Sequence, residues 1–183
     1  AADGAAGMAI TVTHISAATA ALTWMTIEWM SHGKPTLVGI ATGAIAGLAT
    51  ITPASGFVGP VGAIIIGVLA GLVCYKMCGI IKNKWKIDDA LDVMAVHGIG
   101  GVLGILLTAP LGSLAFGGLG LSEKTIGEQF ITQSIGVIAV GLWCLVATWL
   151  ITLLVKKTIG LRVKEDEEIE GLDTSVHGEK GYN

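Results

Sequence analysis

Charged residues are scarce in this sequence. Asp, Glu, Lys and Arg make up 14% of its 183 residues, while hydrophobic residues make up 52%. A soluble domain carries about a quarter charged residues, so the composition predicts a membrane protein. The net charge at pH 7 is only −3, and no basic field is present to attract the phosphates of a nucleic acid. We therefore expect no nucleic acid among the partners.

Cysteine is equally scarce, and its pattern predicts no special chemistry. The cysteines are Cys74, Cys78 and Cys144. Cys74 and Cys78 lie one helical turn apart, a spacing that suits a metal ion. No histidine or further cysteine is close to them in sequence, and free cysteine packs as a small hydrophobe. We interpret them as packing residues, and we expect neither a metal nor a cofactor.

Catalytic motifs are absent as well. The sequence has no phosphate-binding glycine–lysine loop, no HExxH pair and no paired carboxylates within an apolar run. Ser55, in the stretch "PASGFVG", matches the pattern of an intramembrane serine protease only poorly. The sequence therefore predicts a protein that is not an enzyme.

Long uninterrupted apolar runs dominate the chain. Five of them occur, at residues 4–30, 36–54, 58–81, 90–111 and 126–157. Each is long enough for a helix to cross a hydrocarbon core of about 30 Å, and none has the alternation of a membrane β-barrel. We predict an all-α, polytopic membrane bundle over residues 1–158, in which short connections make neighbouring helices antiparallel. Residues 159–183 form a predicted cytoplasmic tail.

The basic residues predict an orientation in the bilayer. Five antiparallel crossings place Lys34, the lysines of residues 76–86 and the basic residues of 156–180 on one side. The other side receives Lys124 alone. The positive-inside rule assigns the richer side to the cytoplasm. We therefore expect a multi-pass cell-membrane protein whose present segment begins outside and ends in the cytoplasm.

Two histidines lie within apolar runs. If Asp89 marks the membrane boundary, His97 lies about 12 Å into the membrane. An ionisable group at this depth is costly, and it usually faces a bundle interior or a pathway. From the residues alone, a pathway role and a hydrogen bond that joins two helices are equally good interpretations of His97. For His14, whose neighbours are small and hydroxylic, we favour a packing role.

Carboxylates precede the fourth apolar run. Asp88, Asp89 and Asp92 lie where they complement the positive end of a helix dipole and cap free N–H groups. After the last run the sequence is polar and mostly acidic, with Ile169 and Leu172 among apolar residues at helical spacing. Both a solvated terminus and a helix docked on a surface fit this tail.

Several stretches resemble one protein family. They are "AALTWMTIEW", "GKPTLVGIATGAIAGLATITPASGFVGPVGAIIIG", "DDALDVMAVHGIGGVLG" and "GLRVKEDEEIEGLDTSVHGEKGYN". Together they cover nearly the whole chain in order, and they resemble the ammonium transporters of the Amt/Mep/Rh group, on the Amt side. The resemblance implies an eleven-helix membrane fold and homotrimeric assembly. This chain would supply helices seven to eleven, so we expect it to be the C-terminal portion of a longer protein.

The resemblance implies a role for His97 in an ammonium pathway. Members of the family conduct ammonium, with methylammonium as an analogue, through a pore in each protomer that two hydrogen-bonded histidines line. His97 matches the second of these; the first belongs to a helix absent from this chain, and His14 matches no pore position. Val93 would help form the dry wall of the pore. Room for the adjacent helix would be left by Gly98, Gly100 and Gly101.

The resemblance also implies a transport chemistry and a regulator. Ammonium would lose a proton on entering the pore and cross as ammonia, because an apolar passage resists a bare cation. The tail would dock at the cytoplasmic face, where a PII-type signal protein would plug the inner mouth. The matching tail residues are Gly160, Arg162, Gly171, Asp173, His177, Gly178 and Tyr182. Two alternatives stay open: an ammonium sensor of the same architecture, and a channel for another small neutral solute.

Overall fold

The computed structural model describes residues 2–121 and 123–180, and every regular element in these residues is helical. The all-α fold is thereby confirmed. The α-helices are α1 (Gly4–His32), α2 (Leu37–Ile51), α3 (Pro60–Gly79), α4 (Gly100–Leu111), α5 (Ile126–Thr158), α6 (Glu165–Glu170) and α7 (Leu172–Ser175). A π-helical segment, Ile80–Lys84, extends α3, and a second, Met94–Ile99, leads into α4. Leu114–Phe116 forms a single 3₁₀ turn.

Four helical stretches are long and apolar enough to span a membrane. They are Gly4–His32, Pro60–Lys84, Met94–Leu111 and Ile126–Thr158. The predicted segment 36–54 differs, because its helix α2 has 15 residues and rises only about 22 Å. Pro53 has no N–H to continue the ladder of hydrogen bonds, and the chain proceeds in turns, such as the 2.8 Å bond from Ala54 N to the Ile51 carbonyl.

Glycines bring the first three helices into close contact. Gly43 packs on Trp24, and Gly47 on the backbone of Ser16, so α2 runs antiparallel to α1. The buried Ser16 hydroxyl donates a hydrogen bond to the Gly47 carbonyl oxygen at 3.0 Å. α3 also packs on α1, where Gly71 meets the side chain of Thr23. Close backbone approach of this kind supplies the van der Waals contact that holds membrane helices together.

The chain divides into two compact units within α5, between Val137 and Ile138. The first unit contains α1 to α4 and the beginning of α5. The second contains the rest of α5 with α6 and α7, and in it Arg162 pairs with Glu168 at 2.6 Å.

Three glycines turn the backbone in this second unit. Gly160, Gly171 and Gly178 have φ of +87°, +98° and +65°, values that side chains disfavour. Ile169 is 81% exposed and Leu172 45% exposed within the described chain. Tyr182, which the family resemblance singles out, lies outside the described residues.

Candidate functional site

The helix ends nearest the candidate residues meet at one end of the bundle. Because the helices alternate in direction, the C-terminal ends of α1 and α3 lie beside the N-terminal ends of α2 and α4. This end, which we call the basic end, carries Lys34, Lys82, Lys84 and Lys86.

His97 lies in the π-helical turn Met94–Ile99, which leads into α4; we call residues 94–111 together the α4 arm. Its neighbour Val96 is 2% exposed and belongs to a cluster with Trp24 and Cys74. His97 itself is exposed, and Val93 is 52% exposed. The ring therefore points away from α1, α2 and α3, and no side-chain hydrogen bond holds it to another described residue. No contact among the described residues supports a role of His97 in joining two helices of this chain. A π-helical turn, by contrast, is a feature that recurs at functional sites.

Asp89 holds the start of this turn. Its carboxylate accepts hydrogen bonds from the backbone N–H groups of Val93 at 2.9 Å, Met94 at 3.0 Å and Ala95 at 3.3 Å. One side chain thus satisfies three of the donors that a helix leaves free at its N-terminus. The backbone that Asp89 caps leads directly into the turn that carries His97.

We expect Asp89→Ala to lower the free energy of unfolding by about 0.5–2 kcal/mol, the usual cost of losing an N-terminal cap. Denaturation of the full-length protein in detergent measures this change. Asp88→Ala is the matched control, because Asp88 is exposed and its carboxylate makes no hydrogen bond within the described residues. Equal stability of the two variants would show that the cap contributes nothing.

Asp92 has a partner of a different kind. Its carboxylate pairs with Lys82, whose Nζ lies 2.8 Å from Oδ2 and 2.8 Å from Oδ1, and it does not cap a backbone N–H group. Its φ is +56°, an uncommon value for a residue other than glycine. The sequence alone did not predict this pair, because a loop separates the two residues and Lys82 was counted only for the orientation.

The glycines of the α4 arm point in two directions. A Cβ on Gly100 would lie 2.8 Å from Thr50 Oγ1, and one on Gly104 would overlap the Thr50 carbonyl oxygen. These two glycines therefore bring α4 against α2. A Cβ on Gly98 would meet only Met94 Cγ, at 3.9 Å, and one on Gly101 would meet no described atom within 4 Å. Open space thus remains on the side of His97.

A second polar network at the basic end joins α1, α2 and α3. Glu28 accepts a hydrogen bond from Thr36 N at 2.7 Å and one from Trp24 Nε1 at 3.3 Å. Trp24 meets the Tyr75 ring edge-on at 5.2 Å, and Tyr75 Oη lies 3.2 Å from His32 Nε2. The sequence did not predict these contacts, since the partners come from different helices. Trp24 also belongs to the cluster that contains Val96, so this network lies next to the turn that carries His97.

His14 is exposed on α1. The hydroxyls of Thr11 and Thr19 bond to carbonyl oxygens of their own helix, at 2.8 Å and 2.7 Å. No described residue hydrogen-bonds the His14 ring, so the packing partner predicted for it is not found within the described part of the chain.

Known proteins with similar sequences cover this chain almost completely. Residues 1–182 match the sequence model of the Ammonium Transporter Family. The ammonium transporter of Aquifex aeolicus is 44% identical over 182 residues, which are 100% of this chain and 43% of that protein. Ammonium transporter Amt1 of Archaeoglobus fulgidus is 42% identical over 182 residues, 100% of this chain and 46% of that protein.

Solved structures show the same similarity in three dimensions. A Sensor Amt Protein superposes with a TM-score of 0.85 at 31% identity, covering 95% of this chain and 42% of that one. The crystal structure of Saccharomyces cerevisiae Mep2 gives a TM-score of 0.77 at 33% identity, covering 89% of this chain and 39% of that one.

The chain spans less than half the length of these relatives. Its apolar helices and its match to transporters make it a multi-pass membrane protein and not an enzyme. On the family match over residues 1–182 and the identities above 40%, the chain belongs to the ammonium transporter family.

Proposed function

We propose that the protein containing this chain conducts ammonium across the cell membrane, and that His97 lines its pathway. The observation that carries the proposal is the place of His97: an imidazole within an apolar span, turned away from its own bundle, in a chain of the ammonium transporter family. The names of the sequence relatives favour transport over sensing.

The chemistry of a dry pore explains the imidazole. Moving a bare cation out of water into an apolar passage is very costly. Ammonium can avoid this cost by giving up one proton and proceeding as ammonia, while the proton takes a separate route; potassium has no proton to give. An uncharged imidazole donates from one ring nitrogen and accepts on the other. His97, paired with a second histidine from a helix outside this chain, would supply such a proton route without a fixed charge.

The surroundings of His97 are proposed to complete the pathway. Val93, on the same exposed face, would form part of its dry wall toward the cytoplasm. Gly98 and Gly101 would admit the adjacent helix, and Gly100 would hold α4 against α2. We further propose that the five segments correspond to helices seven to eleven of an eleven-helix protomer in a homotrimer. The lysine distribution supports an outer N-terminal end of the segment and a cytoplasmic tail.

Transport by the full-length protein in liposomes tests this function. We expect the protein to take up methylammonium. Ammonium should inhibit this uptake by competition, and urea and formate should leave it unchanged. Competition by urea or formate instead would favour a channel for another small neutral solute, and an absence of ammonium transport would refute the proposal.

The tail is proposed to dock at the cytoplasmic face and to respond to a PII-type signal protein. Its three positive-φ glycines and the Arg162–Glu168 pair support a defined shape for this segment. We expect truncation after Val163 to reduce transport and to abolish its inhibition by a PII protein from the same organism, both measured as methylammonium uptake. Unchanged uptake and unchanged inhibition in the truncated protein would contradict this role.

A further inference from the structure

A buried threonine lies where α2, α3 and the α4 arm meet. Thr50 of α2 and Cys74 of α3 are both 0% exposed, and Gly100 of the α4 arm is buried beside them. A Cβ on Gly100 would lie 2.8 Å from Thr50 Oγ1 and 3.3 Å from Cys74 Sγ. A side chain at Gly100 would therefore have to displace a neighbour.

The Thr50 hydroxyl is oriented differently from those of nearby threonines. Thr42 and Thr52 donate their hydroxyl hydrogens to carbonyl oxygens four residues earlier, at 2.8 Å and 2.6 Å, and these bonds stay within one helix. Thr50 Oγ1 is buried and makes no well-aligned hydrogen bond with any described residue. A buried polar atom without such a bond is costly, and native proteins keep few of them. The position of this oxygen against Gly100 gives it a role.

Thr50 offers two oxygen atoms to α4. The Cβ position of Gly104 overlaps the Thr50 carbonyl oxygen, and that of Gly100 lies close to the hydroxyl oxygen. In glycine a hydrogen atom occupies this direction, so each glycine turns a Cα–H group toward an oxygen of Thr50. Weak hydrogen bonds of this kind recur at interfaces between helices. Because the two glycines are one turn apart on one face, Thr50 holds the α4 arm at two points.

The first of these points is close to the histidine of the proposed pathway. Gly100 follows His97 by three residues, a rise of about 4.5 Å along the helix. A proton passes from the His97 ring to a second histidine only when the two groups are within about 2.6–3.2 Å. Misplacement by about 1 Å can slow such a step by about a hundredfold. The distance between α2 and the α4 arm therefore affects this step.

We propose that Thr50 is a positioning residue for His97, which acts by setting the distance between α2 and the α4 arm. The inference rests on the proposed function. A Cα–H···O contact is made at about 3.3–3.6 Å, whereas two carbon atoms prefer about 3.5–4.0 Å. A methyl group in place of the Thr50 hydroxyl therefore moves the α4 arm away from α2 by roughly 0.3 Å, and His97 moves with it.

Thr50→Val tests the inference, because valine has the shape of threonine and carries a methyl group in place of the hydroxyl. In the full-length protein in liposomes, we expect about tenfold slower methylammonium uptake, less than the cost of a 1 Å misplacement. Thr50→Ser keeps the oxygen and should retain wild-type uptake. Thr42→Val is the matched control, since the Thr42 hydroxyl bonds only within its own helix, and it should leave uptake unchanged.

Equal uptake by Thr50→Val and the wild type overturns the inference, as does a loss of uptake that Thr50→Ser shares. Thr50→Ala, which also removes the oxygen, replaces the valine variant if that variant does not fold. Combination with His97→Ala shows whether Thr50 acts through the histidine: without the ring, Thr50→Val should slow uptake no further. A further slowing of the same size in that background would overturn the inference.

The nuclear magnetic resonance signals of the His97 ring separate this inference from the transport proposal. In full-length protein with isotope-labelled histidine, the signals that His97→Ala lacks belong to His97. We expect Thr50→Val to shift these signals and Thr42→Val to leave them in place, whether or not the protein transports ammonium. A shift in a protein that fails to transport supports the positioning role although the proposed function is wrong. An absent shift overturns the positioning role.

Discussion

His97→Ala in the full-length protein should change ammonium conduction, or its selectivity over potassium, by about a hundredfold, which is the low end of what a positioned proton-transfer group contributes. A methyl group neither donates nor accepts a hydrogen bond, so the proton released by ammonium loses its route. The space vacated by the ring also admits water, which lowers the cost of passing a hydrated cation. Flux or current with ammonium and with potassium, measured on the same liposomes, gives both quantities.

His14→Ala is the matched control for this experiment. His14 is also an exposed histidine within a membrane-spanning helix, but it matches no pore position of the family. We expect its replacement to leave flux and selectivity unchanged. If His97→Ala assembles normally and retains both wild-type values, His97 has no part in the pathway.

Gly104→Ala should lower the free energy of unfolding by about 1–3 kcal/mol, the usual cost of overpacking a close contact. The new methyl group would overlap the carbonyl oxygen of Thr50 and approach Pro53 Cγ to 3.0 Å. Thr50 contributes backbone here, which cannot turn aside as the end of a flexible side chain can. The α4 arm, and His97 with it, must therefore move away from α2. Denaturation in detergent and the yield of assembled protein measure the effect.

Gly7→Ala is the control for this substitution, since Gly7 is also helical and a Cβ there would meet no described atom within 4 Å. Alanine is the better helix former of the two, so this variant should be at least as stable as the wild type. If Gly104→Ala is as stable as Gly7→Ala, the contact between α4 and α2 is looser than the structure indicates.

The bundle could be predicted from the sequence because its determinants are local. A membrane span needs a long apolar run, and the runs of this chain are separated by glycine, proline and lysine. The end of α2 at Ile51 was harder to predict. Pro53 is visible in the sequence, but the turns that follow Ile51 depend on how the chain meets α3 and Leu119. The N–H of Leu119 donates a hydrogen bond to the Phe57 carbonyl oxygen at 3.0 Å.

The site was predictable only where its chemistry is also local. His97 stands out because its neighbours are apolar, and Asp89 because it precedes a helix. The contact between Lys82 and Asp92 depends on the path of a loop, and that between Glu28 and Thr36 on the packing of two helix ends. The π-helical turn at Met94–Ile99 was also not predicted, because a hydrophobic pattern is interpreted with the 3.6-residue period of an ordinary α-helix.

An experimental structure of the full-length protein is the most direct measurement of the role proposed for His97. We expect a ring nitrogen of His97 to lie within about 2.6–3.2 Å of a ring nitrogen of a second histidine, on a helix outside this chain. A proton can pass between two groups at this distance. A narrow passage should run beside the pair. A His97 ring packed in a closed seam between helices, with no passage beside it, would contradict the pathway role.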